Sequence, residues 1–404
     1  MRQFYFPLIV AGTMLFSCSH EFEEPSLAQP NQNQNLALSA SQWEGEVAEP
    51  LKVISRDERT IDKIMYPTTH NSFNYKGSRY DLENVYDNLP TQFAKGIRAV
   101  EIDIHEKTIY KFPFTIKKEI AVYHGKITNG SNGSEIARKV LQRITDFIEA
   151  NPTEIVFLKI ETTVSGSDID KVLRDSHLDQ HIYKRTADNP YPTPEDVIAS
   201  GKRVITTRTI EGSKLYGPSL DRKTFGGKYS DNDDHQPQTS PSEKKFFSLD
   251  YYGVTSILGA GDDDRASYIM HPSRMGPFVE DVWKLNGRKP WRVNVDFPSI
   301  HNGNYYQVIK DNNAKAMLMG EVRDTDGNLL LKKDGSLIHW TWDCDYNSET
   351  VRATTSAEFS FPIEDDETVT IHPVSNDYDF VPQSVTVTSD NVSDFKQVFV
   401  AIPK

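Results

Sequence analysis

From about residue 60 to residue 208 the chain alternates short apolar runs with a helical pattern, an order that few architectures accept. Val100-Glu-Ile-Asp-Ile104, Ile155-Val-Phe-Leu-Lys-Ile160 and Arg203-Val-Ile-Thr-Thr207 read as strands. Between the first two, Ile136, Val140, Ile144, Phe147 and Ile148 recur every three or four residues and stop before Asn151-Pro152, the signature of an amphipathic helix. Strand, helix and strand in repetition predict a parallel sheet with helices outside it. Val293-Asn-Val-Asp-Phe297 adds a later strand. A span of roughly 260 residues then suits one (β/α)₈ TIM-type barrel better than two small domains. The expected fold is therefore α/β, with the barrel over residues 51–312.

Beyond about residue 315 the period changes. "AEFSFPI", "ETVTIHPV", "SVTVTSD" and "QVFVAIP" follow one another at short intervals, after a stretch with two Asp-Gly turns. Alternation such as Val385-Thr-Val-Thr388 between turn signals predicts a small all-β sandwich over residues 316–404. Its layout resembles the transthyretin-like or Cna-B-like immunoglobulin-type modules of bacterial surface proteins. That resemblance implies a spacer or adhesion unit.

The N-terminus reads as an address rather than as fold. Arg2 precedes the apolar run Phe4 to Phe16, too short for an ordinary membrane span, and Leu15-Phe-Ser-Cys18 resembles a bacterial lipobox. Residues 1–18 are expected to be a lipoprotein leader, with Cys18 as the lipidated anchor. Residues 19–50, rich in Ser, Gln, Asn, Pro and Glu, are expected to be a tether. These features predict a bacterial cell-envelope or secreted protein, and a monomer. The other cysteine, Cys344, reads as a buried apolar residue. A net charge of −13 argues against nucleic acid as a partner, since phosphate backbones are bound by clustered Lys and Arg.

Candidate chemistry stands at strand ends. Glu101 and Asp103 are two apart on an otherwise apolar strand, so their carboxylates lie side by side. Two such groups near an apolar sheet repel each other and lose hydration, which a cation remedies. A solvated strand end paired with Arg98 or Lys107 is the alternative. Lys159 and Glu161 repeat the spacing on a second strand. His124 ends the run Ile120-Ala-Val-Tyr123, and His70-Asn71 follows the first apolar run of the expected mature chain. Either histidine alone could be a turn residue. Together these groups are expected at the C-terminal ends of four consecutive strands, where barrel sites form.

"TTHNSF", "GIRAVEIDIHE", "VYHGK" and "EIVFLKIE" resemble, in order and spacing, the X region of calcium-dependent phosphatidylinositol-specific phospholipases C. That resemblance implies Ca²⁺ held by Asn71, Glu101, Asp103 and Glu161, with Glu101 also as general base. It implies His70 on a phosphoryl oxygen, His124 as general acid, and Lys159 and Arg208 as phosphate contacts. The implied reaction cleaves phosphatidylinositol, or a glycosylated form, at a membrane surface to diacylglycerol and an inositol phosphate, through inositol 1,2-cyclic phosphate. The metal-independent bacterial branch carries a "THD" pattern, whereas Asn71 follows His70 here. Thr206 stands where polyphosphoinositide enzymes carry a lysine. Two alternatives remain: another phosphodiesterase on the same scaffold, of the glycerophosphodiesterase or sphingomyelinase-D type, or a non-catalytic lipid- or glycan-binding adhesin. Asp-rich stretches at 230–234 and 261–264 read as solvated loops.

Overall fold

A computed structural model describes residues 51–404 except 78–82, 112–114, 125–132, 186–190, 208, 217–247, 253–261, 331–337, 348 and 390–392, and gives only the backbone of Lys111 and Thr115. The expected leader, tether, Cys18, Arg208 and residues 230–234 lie outside the described residues. Among those described, no helix is long and apolar enough to cross a membrane.

Ten strands precede the change of pattern: β1 (Lys52–Ser55), β2 (Tyr66–Thr69), β3 (Ala99–Lys111), β4 (Thr115–Val122), β5 (Glu135–Ile136), β6 (Val156–Thr162), β7 (Ile182–Tyr183), β8 (Val204–Thr206), β9 (Ser248–Asp250) and β10 (Arg292–Val295). Seven form one curled parallel sheet in the order β7-β8-β6-β3-β2-β10-β9, a partial barrel. The helices are α1 (Leu89–Ala94), α2 (Ala137–Ala150), α3 (Gly166–Asp175), α4 (Pro194–Ala199), α5 (Asp263–Ile269), α6 (Pro272–Asn286) and α7 (Ile300–Ala314). The stripe anticipated on α2 is real: Val140, Leu141, Ile144 and Ile148 are buried, and Asn151 Nδ2 closes the helix on the Phe147 carbonyl at 2.8 Å. Helix α4 starts at a capping box between Thr193 and Asp196.

Within the parallel sheet's neighbourhood the strand ordering departs from expectation at β4. β4 runs antiparallel to β3 in a hairpin, so His124 does not end a barrel strand. A turn too short for a crossover helix allows only antiparallel return. The return still carries His124 to the site, because Ile104 pairs with Val122 and Tyr123 donates to the Asp103 carbonyl at 3.3 Å.

The C-terminal strands are β11 (Ala316–Arg323), β12 (Trp340–Asp345), β13 (Thr350–Thr355), β14 (Glu358–Ile363), β15 (Thr368–Val374), β16 (Tyr378–Val381), β17 (Val385–Thr388) and β18 (Ser393–Pro403). They make two sheets, β1-β18-β11-β14 with β16 beside β18, and β13-β12-β15-β17. Trp340, Trp342, Phe359, Phe361, Phe399 and Cys344 fill the core between them. Cys344 is fully buried there, as its sequence suggested.

β1 lies within the span read as barrel, yet it pairs antiparallel with β18, Lys52 opposite Lys396 and Ser55 opposite Ser393. Just beyond it, buried Arg59 holds both carboxylate oxygens of buried Asp394 at 2.6 and 2.7 Å and donates to the carbonyls of Asn313 and Lys315. Helix α6 makes the other junction. Trp283 Nε1 donates to the Ser360 carbonyl at 2.8 Å, and α6 ends at Gly287 in the left-handed region (φ 54°), where a Cβ would meet Phe361 at 2.9 Å.

Candidate active site

The inner face of the parallel sheet changes character along its strands. Tyr66, Ala99, Phe157 and Ile205 fill the N-terminal end, with Tyr66 and Phe157 ring centroids 4.4 Å apart. Two and four residues further on, the same alternation delivers His70, Glu101, Asp103, Lys159 and Glu161. Register then sets neighbours: Glu101 lies opposite Lys159 and Asp103 opposite Glu161.

Lys159 Nζ contacts Glu101 Oε1 at 2.7 Å and Glu161 Oε1 at 2.9 Å. The expected alternative partner Arg98 is instead bound to Glu154 at 2.7 Å, and Lys107 donates to Ser134 at 2.6 Å. Arg292 Nη1 lies 3.9 Å from Glu101 Oε2, and Asn294 Nδ2 donates to that oxygen at 3.3 Å. Burial opposes ionisation of Glu101, but Lys159, His70 and Arg292 outweigh it and hold its carboxyl down at about 2.

Asp103 is the opposite case. Burial, then the charges of Glu101 and Glu161, push it up to about 8, and its buried Oδ1 has no hydrogen-bond partner. Acceptor oxygens of Glu101, Asp103 and Glu161 lie within 4.8 Å of one another. Three hard oxygen donors around an orphaned carboxylate oxygen fit a divalent cation. Lys159 already neutralises part of that charge, so such an ion would share the trio with an ammonium.

His70 is fixed from the other side. Thr69 pairs with Val295, so the next residues meet, and His70 Nδ1 lies 3.0 Å from Asp296 Oδ1. The same oxygen accepts from Asn84 Nδ2 at 3.1 Å, and Tyr252 stacks on the imidazole at 3.9 Å. Burial disfavours the imidazolium, yet Asp296 raises the His70 pKa above its ordinary value. Asn71, at φ 44°, is buried and donates its Nδ2 to Asn84 Oδ1 at 3.2 Å. His124 is half-buried; burial and the nearby His70 push it down to about 4.

Asp296, Arg292, Asn294, Asp250 and Tyr252 were not singled out in the sequence. The signal for two was present: Asn294 and Asp296 obey the same two-residue period that selected Glu101 and Asp103, in the strand recognised as Val293–Phe297, and Arg292 extends that period one residue before it.

Comparison with known proteins bears on the first part of the barrel. The family model PI-PLC X 1 matches residues 58–214, which hold every candidate residue named from the sequence. This stretch is a PI-PLC X-like region. No curated protein matches the chain. Among solved structures, a variant of the phosphatidylinositol-specific phospholipase C from Staphylococcus aureus is 15% identical with a TM-score of 0.42, over 64% of this chain and 93% of that one. A pentafluoro-Phe form of the same enzyme gives 14% and 0.43, over 64% and 94%. PLC21 of L. pealei gives 10% and 0.40, over 83% of this chain and 52% of that one. The X-like region therefore supplies β2, β3, β6 and β8, while Asp250, Arg292, Asn294 and Asp296 come from outside it.

Proposed function

We propose that the chain is a calcium-dependent phospholipase C that cleaves phosphatidylinositol, or a glycosylated form of it, to diacylglycerol and inositol 1,2-cyclic phosphate. The observation that carries this reading is the carboxylate trio of buried Glu101 and Asp103 with half-buried Glu161, and its orphaned Asp103 oxygen, beside two histidines. Glu101, Asp103 and Glu161, with the Asn71 carbonyl oxygen, would hold the cation. When bound, it would polarise the inositol 2-hydroxyl and a phosphoryl oxygen as a Lewis acid.

The chain's own residues supply the proton transfers. Glu101 takes the proton of the 2-hydroxyl as its oxygen bonds to phosphorus. His70, oriented by Asp296, donates a hydrogen bond to a phosphoryl oxygen. His124 gives a proton to the glycerol oxygen as its bond to phosphorus breaks. Burial and His70 hold the pKa of His124 low, and an anionic phosphodiester beside it favours the protonated form that this step needs. Lys159, bound between Glu101 and Glu161, serves chiefly to balance charge, and Arg208 remains a candidate phosphate contact. Membrane lipid is thus the partner, reached from a lipid anchor at Cys18 on the cell envelope.

Incubation with phosphatidylinositol, with and without EGTA, followed by phosphorus NMR tests the reading. The expected result is calcium-dependent appearance of the cyclic phosphate. No water-soluble phosphate under any condition would sink it, and choline release from sphingomyelin would move the assignment to the sphingomyelinase-D-type reading.

A further inference from the structure

The strand that carries Glu101 and Asp103 does not stop at the site. β3 pairs with β6 only as far as Ile104; from there its ladder continues with β4 alone, to Lys111 opposite Thr115. Seven residues of extended chain make a ribbon of roughly 20 Å beyond the sheet. Two-stranded ribbons are marginal in water unless something covers them.

At the far end, register places Tyr110 opposite Ile116, so the two side chains share one face. Tyr110 is 79% exposed and Ile116 is 66% exposed, the highest values of any large apolar residue described. Phe112 and Phe114 lie between them in sequence. From Glu106 to Glu119 the chain has four lysines (107, 111, 117 and 118) against those two glutamates, a local excess of +2 in a chain of net charge −13. Lys118 is partly engaged, 2.8 Å from Glu106.

We propose that the β3–β4 hairpin docks on a phospholipid bilayer bearing anionic headgroups, with Tyr110 and Ile116 entering the interface and Lys117 and Lys118 facing the headgroups. Paired strand residues that present a phenol, an aliphatic side chain and lysine stems match a headgroup boundary, where amphipathic side chains keep polar ends in water. Its positive excess complements an anionic leaflet, whereas the chain as a whole is repelled by one. The proposal rests on the lipid-substrate reading in one respect: because β3 also bears Glu101 and Asp103, docking sets the site's height above the lipid.

The test uses residues 19–404, which keep every described residue and lack the expected leader. Vesicles contain phosphatidylcholine with phosphatidylglycerol and no inositol lipid, so binding is read without turnover. Y110S/I116S is expected to lower vesicle partitioning by about tenfold. K117Q/K118Q should lower it on anionic vesicles alone. Both exposed pairs should leave the melting temperature unchanged. Wild-type partitioning by Y110S/I116S overturns the proposal. So does a dimer, seen by sedimentation, that this variant dissolves while vesicle binding persists, since the open edge of β4 would then serve a second copy. A chain that docks through the hairpin yet cleaves no phosphatidylinositol would sink the proposed function and leave the docking surface standing.

Discussion

Asp296 Oδ1 lies 3.0 Å from Nδ1 of His70, a buried contact between residues 226 positions apart. It fixes which ring nitrogen is engaged and, with Tyr252 stacked on the ring, how the imidazole is aimed. Asp296→Asn keeps the shape but removes the charge. We expect kcat on phosphatidylinositol to fall roughly 10²-fold with KM little changed. An unaltered kcat would show that His70 acts without Asp296.

Glu101→Gln should abolish turnover, because the proton acceptor and one cation ligand go together. His124→Ala should spare substrates whose leaving oxygen needs no proton. The comparison is made with a phosphatidylinositol analogue bearing a good leaving group. Equal losses on both substrates would remove His124 from the general-acid role.

Asp103 is costly in its present surroundings, and a cation would relieve it. Millimolar Ca²⁺ should therefore raise the melting temperature, by binding the folded state alone. Asp103→Asn should abolish most of that rise while leaving the chain folded. A calcium response that survives the substitution would place the ion elsewhere.

Away from the site, Asp170 on α3 accepts from the backbone N–H of Lys214 at 2.8 Å and of Leu215 at 3.1 Å, and from the Ser213 hydroxyl. Burial opposes its ionisation, but these hydrogen bonds outweigh it and lower its pKa. A lowered folded-state pKa stabilises the fold above the unfolded value of about 3.9, and that contribution is lost as pH falls through the folded pKa. Asp170→Ala should cost about 1–3 kcal/mol near neutral pH, and the difference from wild type should shrink below about pH 4 in denaturant titrations. A difference that grows on acidification would contradict the assignment.

How far the sequence disclosed this molecule depends on whether the deciding interactions are local. The strand Val100–Ile104, the helix after Ile136 and the outlook of Glu101 and Asp103 follow from period and composition, because side-chain alternation is a property of one strand. The X-like set was legible for the same reason. That Lys159 would sit between Glu101 and Glu161 depends on sheet register, and that Asp296 would reach His70 depends on strand order, so neither followed from spacing. The hairpin reversal of β4 was missed because Ile120–Tyr123 is equally apolar in a parallel or an antiparallel strand. The pairing of β1 with β18 joins segments more than 330 residues apart. Four residues, Lys-Val-Ile-Ser, carry no local sign of it.

That pairing has a mechanical meaning. Leu51 leads into β1, and β1 is laddered to the last strand of the sandwich, with Arg59 clamped on Asp394 directly behind it. If the chain is held by its N-terminus, a pull reaches the barrel only after passing through that ladder and clamp. Arg59→Ala, which strands a buried carboxylate and should cost about 3–5 kcal/mol, would lower the force at which the N-terminal segment peels away in single-molecule pulling. In a chain moored in that way, the C-terminal module would act as strain relief, shielding the site's geometry from motion at the N-terminal end.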